Sequence, residues 1–237
     1  VRYRGPAELT VVRHGQSALN AALTATPEGG ALDAAALPAR NADVDLTPLG
    51  ERQARAVGTG WLAALPGDRR PGVVFSSTYL RARRTAGLAL EAAGLDLPVQ
   101  LDERLRDHDS GPFALMSPAM VRGYDPGEAS RRRDDPMHHR PERGESLADV
   151  LLRLRSFLRD LCAEYPGERV LLFAHEPVVV LLRGILEGLD EAGVWRVSGE
   201  EPAAAASVSR WTADAGGELR PDGYGAVGHL AGVTAEE

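Results

Sequence analysis

A chain of 237 residues with 43% hydrophobic and 26% charged positions can bury an apolar core as one domain without covalent staples. Its formal net charge of -7 argues against a large nucleic-acid footprint, and its single cysteine excludes an intrachain disulfide or a cysteine-rich zinc site. All 27 basic residues are arginine, which excludes chemistry that needs an amine: Schiff bases, the phosphate-binding lysine of P-loop enzymes, the ATP-pairing lysine of kinases.

Residues 1–6 lack the apolar stretch of a secretory signal, and no run of 18 apolar residues occurs. A cytoplasmic protein with no membrane partner is the expectation. Leu9-Thr10-Val11-Val12 predicts a short buried strand that leads into a polar turn, Arg13-His14-Gly15-Gln16. Residues 21–45 are rich in Ala, Gly, Pro and Asp, and predict a long loop around one helical turn. Thr47-Pro48 has the form of an N-cap followed by proline at the first helical position. Glu51 falls in the first turn, where the helix dipole favours it. That helix is predicted to reach about residue 65 and stop at Pro66-Gly67.

A second strand at Val73-Val74-Phe75, a helix over 81–93 closed by Gly94, and a third strand at Val99-Gln100-Leu101 follow. Residues 104–144 show no sustained period and predict an insertion. Ser146 and Asp149 have the spacing of a capping box. They open a helix to about residue 165, with Leu147, Val150, Leu151, Leu154, Phe157, Leu158 and Leu161 on one stripe. Val170-Leu171-Leu172-Phe173-Ala174 is the clearest strand, Pro177 starts a helix to about residue 189, and residues 207–212 predict a late edge strand. Strands alternating with helices imply an α/β fold in three layers, a mainly parallel sheet with helices on both faces. The expectation is a single domain over 1–237, with a cap-like insertion at about 108–144 over the carboxyl ends of the strands.

In such sheets ligands lie beyond those carboxyl ends. His14 and His175 both stand there, and Pro177 sets His175 just ahead of a helix N-terminus, where anions bind readily. In the octet Arg13-His14-Gly15-Gln16-Ser17-Ala18-Leu19-Asn20, arginine offers a rigid fork for phosphate oxygens. Gly15 lets the backbone approach a ligand, and neutral imidazole is a competent nucleophile near pH 7. A lone histidine after a strand is more often structural; the Arg, Gly, Ser and Asn spaced around this one favour chemistry.

The octet resembles the signature of the histidine phosphatase superfamily, the phosphoglycerate-mutase-like proteins. Similar segments follow in order through about residue 189. Leu46-Thr47-Pro48-Leu49-Gly50-Glu51-Arg52-Gln53-Ala54 looks like the family's second helix start. Ser76-Ser77-Thr78-Tyr79-Leu80-Arg81-Ala82-Arg83-Arg84-Thr85-Ala86 is similar to its second arginine motif, and Gly144-Glu145-Ser146 to the tripeptide that opens its long helix. Ala174-His175 matches its second catalytic histidine, with Arg183 on the next helix.

The resemblance implies a phosphomonoester hydrolase that needs no metal or cofactor and acts on a small phosphorylated metabolite. His14 would attack phosphorus and become phosphohistidine. Asp107 would protonate the leaving alkoxide and then activate water. Arg13, Arg81 and His175 would bind the equatorial oxygens, with Gly15, Gln16, Ser17, Asn20 and the backbone N–H of Glu176 completing the phosphate site. Two positions depart from the family pattern. Asp107 stands where most members carry glutamate, one methylene longer, and Asp109 is the alternative donor. Glu176 stands where many relatives carry glycine, and its carboxylate would repel a dianion if it points inward. The run Arg131-Arg132-Arg133-Asp134-Asp135-Pro136 is similar to the Arg-rich element of true mutases. Mutase-type phosphoryl transfer and a phosphate-binding module without turnover are therefore the alternatives.

Three other patterns give way. Asp43-Val44-Asp45-Leu46-Thr47 fits the D-x-D-x-T form of haloacid-dehalogenase phosphatases but lacks the preceding hydrophobic strand and the lysine. The sixth residue after Cys162 is Glu168, not the arginine of a Cys-x5-Arg loop, so the thiol reads as core packing. Met137-His138-His139 lacks a third metal ligand.

Overall fold

The computed structural model describes residues 3–27, 30–33 and 37–233. Its strands are β1 (Glu8–Arg13), β2 (Val73–Ser76), β3 (Val99–Leu101), β4 (Arg169–Ala174), β5 (Val208–Ala213) and β6 (Leu219–Pro221). They form one sheet in the order β3-β2-β4-β1-β5-β6. The first four in that order run parallel; β5 and β6 are antiparallel additions. Arg13 pairs with Ala174, and Ser76 with Phe173. This register ends β1, β2 and β4 level, so the next residues of each, His14, Ser77 and His175, emerge side by side.

The helices are α1 (Ala18–Ala25), α2 (Pro48–Ala56), α3 (Leu80–Ala93), α4 (Pro118–Tyr124), α5 (Glu128–Asp134), α6 (Leu147–Glu164), α7 (Glu176–Glu187) and α8 (Glu191–Glu200). The central strands read as continuous apolar runs because both of their faces are covered. Leu9, Val11, Val170 and Leu172 pack against Val150, Leu154, Phe157 and Leu158 of α6 and the valines of α7. Val12, Val74, Leu171 and Phe173 face the other way, against Ala86, Ala89 and Leu90 of α3 and Val57 and Leu62. Five residues of the predicted α6 stripe are buried, with Leu147 and Leu151 packed partly buried at its flank. Ser146 and Asp149 form the expected capping box, and Gly94 closes α3 at a left-handed φ of 66°.

Four expectations need correction. The helical turn expected within residues 21–45 is the end of a longer helix, Ala18–Ala25: Ser17 and Asn20 cap each other reciprocally at its start, but none of its residues is fully buried, so no strong apolar stripe marks it. The helix from Pro48 is α-helical only to Ala56 and continues as a wider π segment over Val57–Leu62. There Gly58 presses against α3 so closely that a Cβ would sit 2.3 Å from the Ala89 carbonyl oxygen. The strand near residues 207–212 is interior, because β6 pairs along its far side. Residues 104–144 hold two short helices, α4 and α5; α4 opens with Ser117 capping and Pro118 at the first position, the same signal that marks α2. This segment is closed at its neck, where the Glu145 N–H donates to the Asp109 carbonyl at 2.8 Å.

Gly15 and Gly50 lie back to back. A Cβ on Gly50 would sit 2.0 Å from the Gln16 carbonyl oxygen, and one on Gly15 2.4 Å from the Gly50 oxygen. Both obstacles are main chain and cannot swing aside. Gly50→Ala is therefore expected to cost about 3 kcal/mol of stability, read as a lower urea midpoint at unchanged slope.

Candidate active site

His14 leaves the end of β1 with its N–H donated to the Ala174 carbonyl at 2.9 Å. Its Nδ1 lies 2.7 Å from the Gly15 carbonyl oxygen. A carbonyl only accepts, so Nδ1 carries the proton and Nε2 keeps the lone pair. The ring is 3% exposed. Burial first, and then its neighbours His175, Arg81 and Arg13, hold its pKa well below the usual histidine range. Neutral His14 is the resulting state near pH 7.

His175 caps α7 and is fully buried. Its ring centroid is 5.1 Å from that of His14, at an interplanar angle of 62°. Nε2 lies 2.8 Å from Ser77 Oγ. That hydroxyl already accepts from the Tyr79 N–H, so its own proton is free to go to Nε2. The proton of His175 then stays on Nδ1, which has no hydrogen bond among the described residues and lies 3.5 Å from Asp107 Oδ2. Burial first, then Arg81, Arg153 and Arg13, also holds this imidazole well below its usual range. Tyr79 packs edge-on to the ring at 5.2 Å, and the Arg81 guanidinium lies 5.0 Å over the Tyr79 ring.

Arg81 is only 2% exposed. One of its nitrogens donates to the Asn41 carbonyl and another to Asp107 Oδ2, each at 2.8 Å. Arg13 donates to the Ala203 carbonyl, while its Nε is buried with no partner among the described residues. Asp107 thus stands between Arg81 and His175, with its Oδ1 taking the His108 N–H at 2.9 Å. Asp109 does not reach the imidazoles: its Oδ1 takes the Gly111 N–H at 2.9 Å and shapes the turn. Glu176 is the first residue of α7 and faces Arg13 and Asp107. Burial, opposed by Arg13 and reinforced by Asp107, pushes its carboxyl above the usual range.

The structure gathers His14, His175, Arg13, Arg81, Asp107 and Glu176. It does not aim the side chains of the loop after His14 in the same way. The Gly15 N–H goes to Thr85 Oγ1 at 3.1 Å, and the missing side chain makes room for Gly50 rather than for a ligand. The Gln16 N–H goes to Gln53 Oε1, and its own Oε1 accepts from Thr47 Oγ1. Ser17 and Asn20 bond each other. These four residues hold the loop that holds His14.

Sequence reasoning missed Ser77, Tyr79, Asn41 and Arg153. Arg153 stands on the buried face of α6 between Val150 and Phe157, and a charge there was the available signal. It donates to the Asp107 carbonyl at 3.1 Å, to the Arg104 carbonyl and to both carboxylate oxygens of Glu145, and so fixes the main chain beneath Asp107. The D-x-D-x-T pattern is spent structurally: Asp45 pairs with Arg84 at 2.6 Å, and Thr47 caps α2. Arg183 pairs with Glu187 and Glu201 over the Tyr224 ring. Among the described residues no group of three His, Cys, Asp or Glu side chains could hold a metal ion, and no helix is long and apolar enough to cross a membrane.

The model of the family described as histidine phosphatase superfamily (branch 1) matches residues 9–219. The 2,3-bisphosphoglycerate-dependent phosphoglycerate mutase of Methylobacterium radiotolerans is 32% identical over 201 residues, covering 78% of this chain and 82% of that one. The glucosyl-3-phosphoglycerate phosphatase of Mycobacterium tuberculosis is 32% identical over 152 residues, covering 61% of this chain and 65% of that one. The structure of mycobacterial glucosyl-3-phosphoglycerate phosphatase with VO3 superposes with a TM-score of 0.71 at 26% identity, covering 93% of this chain and 100% of that one.

Proposed function

The chain belongs to the histidine phosphatase superfamily, and from that premise we propose that it hydrolyses phosphomonoesters of small metabolites through a phosphohistidine on His14. The observation that carries this reading is the unprotonated Nε2 of His14, buried beside His175, Arg13 and Arg81. Nε2 attacks phosphorus in line, and the bond to the alcohol oxygen breaks. Arg81 turns from Asp107 to the incoming phosphate, which leaves the carboxylate free to take the proton of a monoanionic ester and pass it to the leaving oxygen. The same carboxylate then draws a proton from the water that opens the phosphohistidine. Fixed positive groups around the equatorial oxygens supply the largest share of the rate.

Incubation with p-nitrophenyl phosphate, and separately with 3-phosphoglycerate plus its bisphosphate activator, tests this. Inorganic phosphate release without isomer exchange is expected. The second reading, mutase-type transfer, is favoured by the 32% identity to phosphoglycerate mutases, and exchange without release would establish it instead. Glu176, an acidic side chain beside Arg13, bears on either reading, since it meets whichever phosphate enters.

A pH profile follows from the same two groups. His14 stays neutral as pH falls through the ordinary histidine range, so kcat/KM is expected to hold there. Glu176 ionises above its raised pKa and then opposes a phosphate dianion. The optimum should lie on the acid side, and Glu176→Gln should raise kcat/KM on the alkaline limb by about tenfold while leaving the acid limb in place.

A further inference from the structure

We infer that the alcohol half of the substrate is an apolar group, aromatic or branched, seated in a cavity that residues 108–141 build beside Asp107. The inference rests on the hydrolase reading and adds a substrate class to it. The cavity holds about 340 Å³ and is walled by Leu23, Phe113, Met116, Val121, Pro136 and Leu147. This falls in the range of about 300–1,000 Å³ found for small-molecule sites.

Continuity with the phosphate site comes from the chain itself. His108 and Ser110 contribute to the wall, and Asp107 is the next residue, about 3.8 Å away along the backbone. An ester oxygen protonated by Asp107 would lie one residue from this wall, with its carbon substituent within reach of it. Leu23, on α1 just beyond the His14 loop, is 37% exposed as it lines the cavity. Covering such surface is the favourable step in apolar binding.

The paired polar residues of the wall argue against a sugar. His108 Nε2 is held by the Glu145 carbonyl at 2.6 Å, and its Nδ1 lies 3.3 Å from Ser110 Oγ. His139 Nε2 and Glu128 Oε1 meet at 2.8 Å. These groups satisfy one another. A site that selects hydroxyls keeps donors and acceptors free for them. Arg122 and Arg132 line it as well, exposed to solvent, and the 3-phosphoglycerate arm of the test reads whether they recruit a carboxylate instead.

The test compares kcat/KM for benzyl phosphate, methyl phosphate and 3-phosphoglycerate; the two alcohols released from the first pair are of similar acidity. Benzyl phosphate is expected to lead both others by at least about tenfold. Ala129→Trp, which sets a bulky ring at another residue lining the cavity, and Met116→Gln, which makes its wall polar, should each cut the benzyl-to-methyl ratio by about tenfold or more. Inhibition by vanadate in each variant confirms an intact phosphate site, and either variant suffices if the other fails to fold. If the esters are cleaved in a His14-dependent manner but the ratio is near one, or neither variant moves it, the cavity assignment is overturned and the hydrolase reading stands. If no ester is cleaved, or cleavage survives His14→Ala, the hydrolase reading falls and the assignment falls with it.

Discussion

His14→Ala is expected to lower phosphate release from p-nitrophenyl phosphate by at least about 10⁴-fold. The size follows from what remains when the imidazole is gone. Arg13, Arg81 and His175 still surround the phosphate, so binding and part of the electrostatic stabilisation survive. The other imidazole cannot substitute, because its Nε2 is engaged by Ser77 and its Nδ1 is directed at Asp107. Attack falls to water, without an activated nucleophile in line. Two measurements separate this from a folding defect. Binding of inorganic phosphate should persist within a few fold, and the acid-labile, base-stable phosphoenzyme trapped by quenching the parent protein should be missing from the variant. Turnover that survived the substitution, with a trapped phosphoenzyme, would place the nucleophile elsewhere.

The residues that bear on this were legible in the sequence to different depths. β1 and β4 are covered on both faces, so they stand out as unbroken apolar runs, and the two histidines are found by standing at their ends. α6 announces itself by stripe and capping box together. β6 is three residues, Leu219 to Pro221, on the edge of the sheet, too short to show a period of two, and its absence from the reading turned β5 into an edge. No residue of α1 is fully buried, so its helical pattern has no strong apolar face to betray it. In the site, what the sequence withheld is pairing at long range. The octet places a glycine, a glutamine, a serine and an asparagine next to a histidine, and nothing local tells that Gly15 answers to Gly50 and Thr85, or Gln16 to Thr47 and Gln53. Those partners lie 30 to 70 positions away in sequence. Polar residues beside a nucleophile invite assignment to the ligand, while half of the work of such a loop is to keep one ring still.

The two candidate acids differ in the same way, and their substitution should separate them sharply. Asp107→Asn is expected to lower kcat by about 10²–10⁴-fold on alkyl phosphates, the usual worth of a positioned acid. The amide keeps a hydrogen-bonding oxygen for the His108 N–H and an isosteric shape, so the structure should persist; what it loses is the proton. p-Nitrophenolate leaves without protonation, so the same variant should lose far less on p-nitrophenyl phosphate in the step that forms the phosphohistidine. Pre-steady-state release of nitrophenol resolves this step from the hydrolysis that follows. A burst followed by slow turnover is the expected trace, because the carboxylate is still needed to activate water. Asp109→Asn should stay within a few fold on every substrate, since its Oδ1 serves only the Gly111 N–H and an asparagine oxygen accepts that bond equally well. Equal losses at the two positions, or a deficit at Asp107 that does not depend on the leaving group, would assign the carboxylate the task of holding Arg81 in place rather than moving a proton.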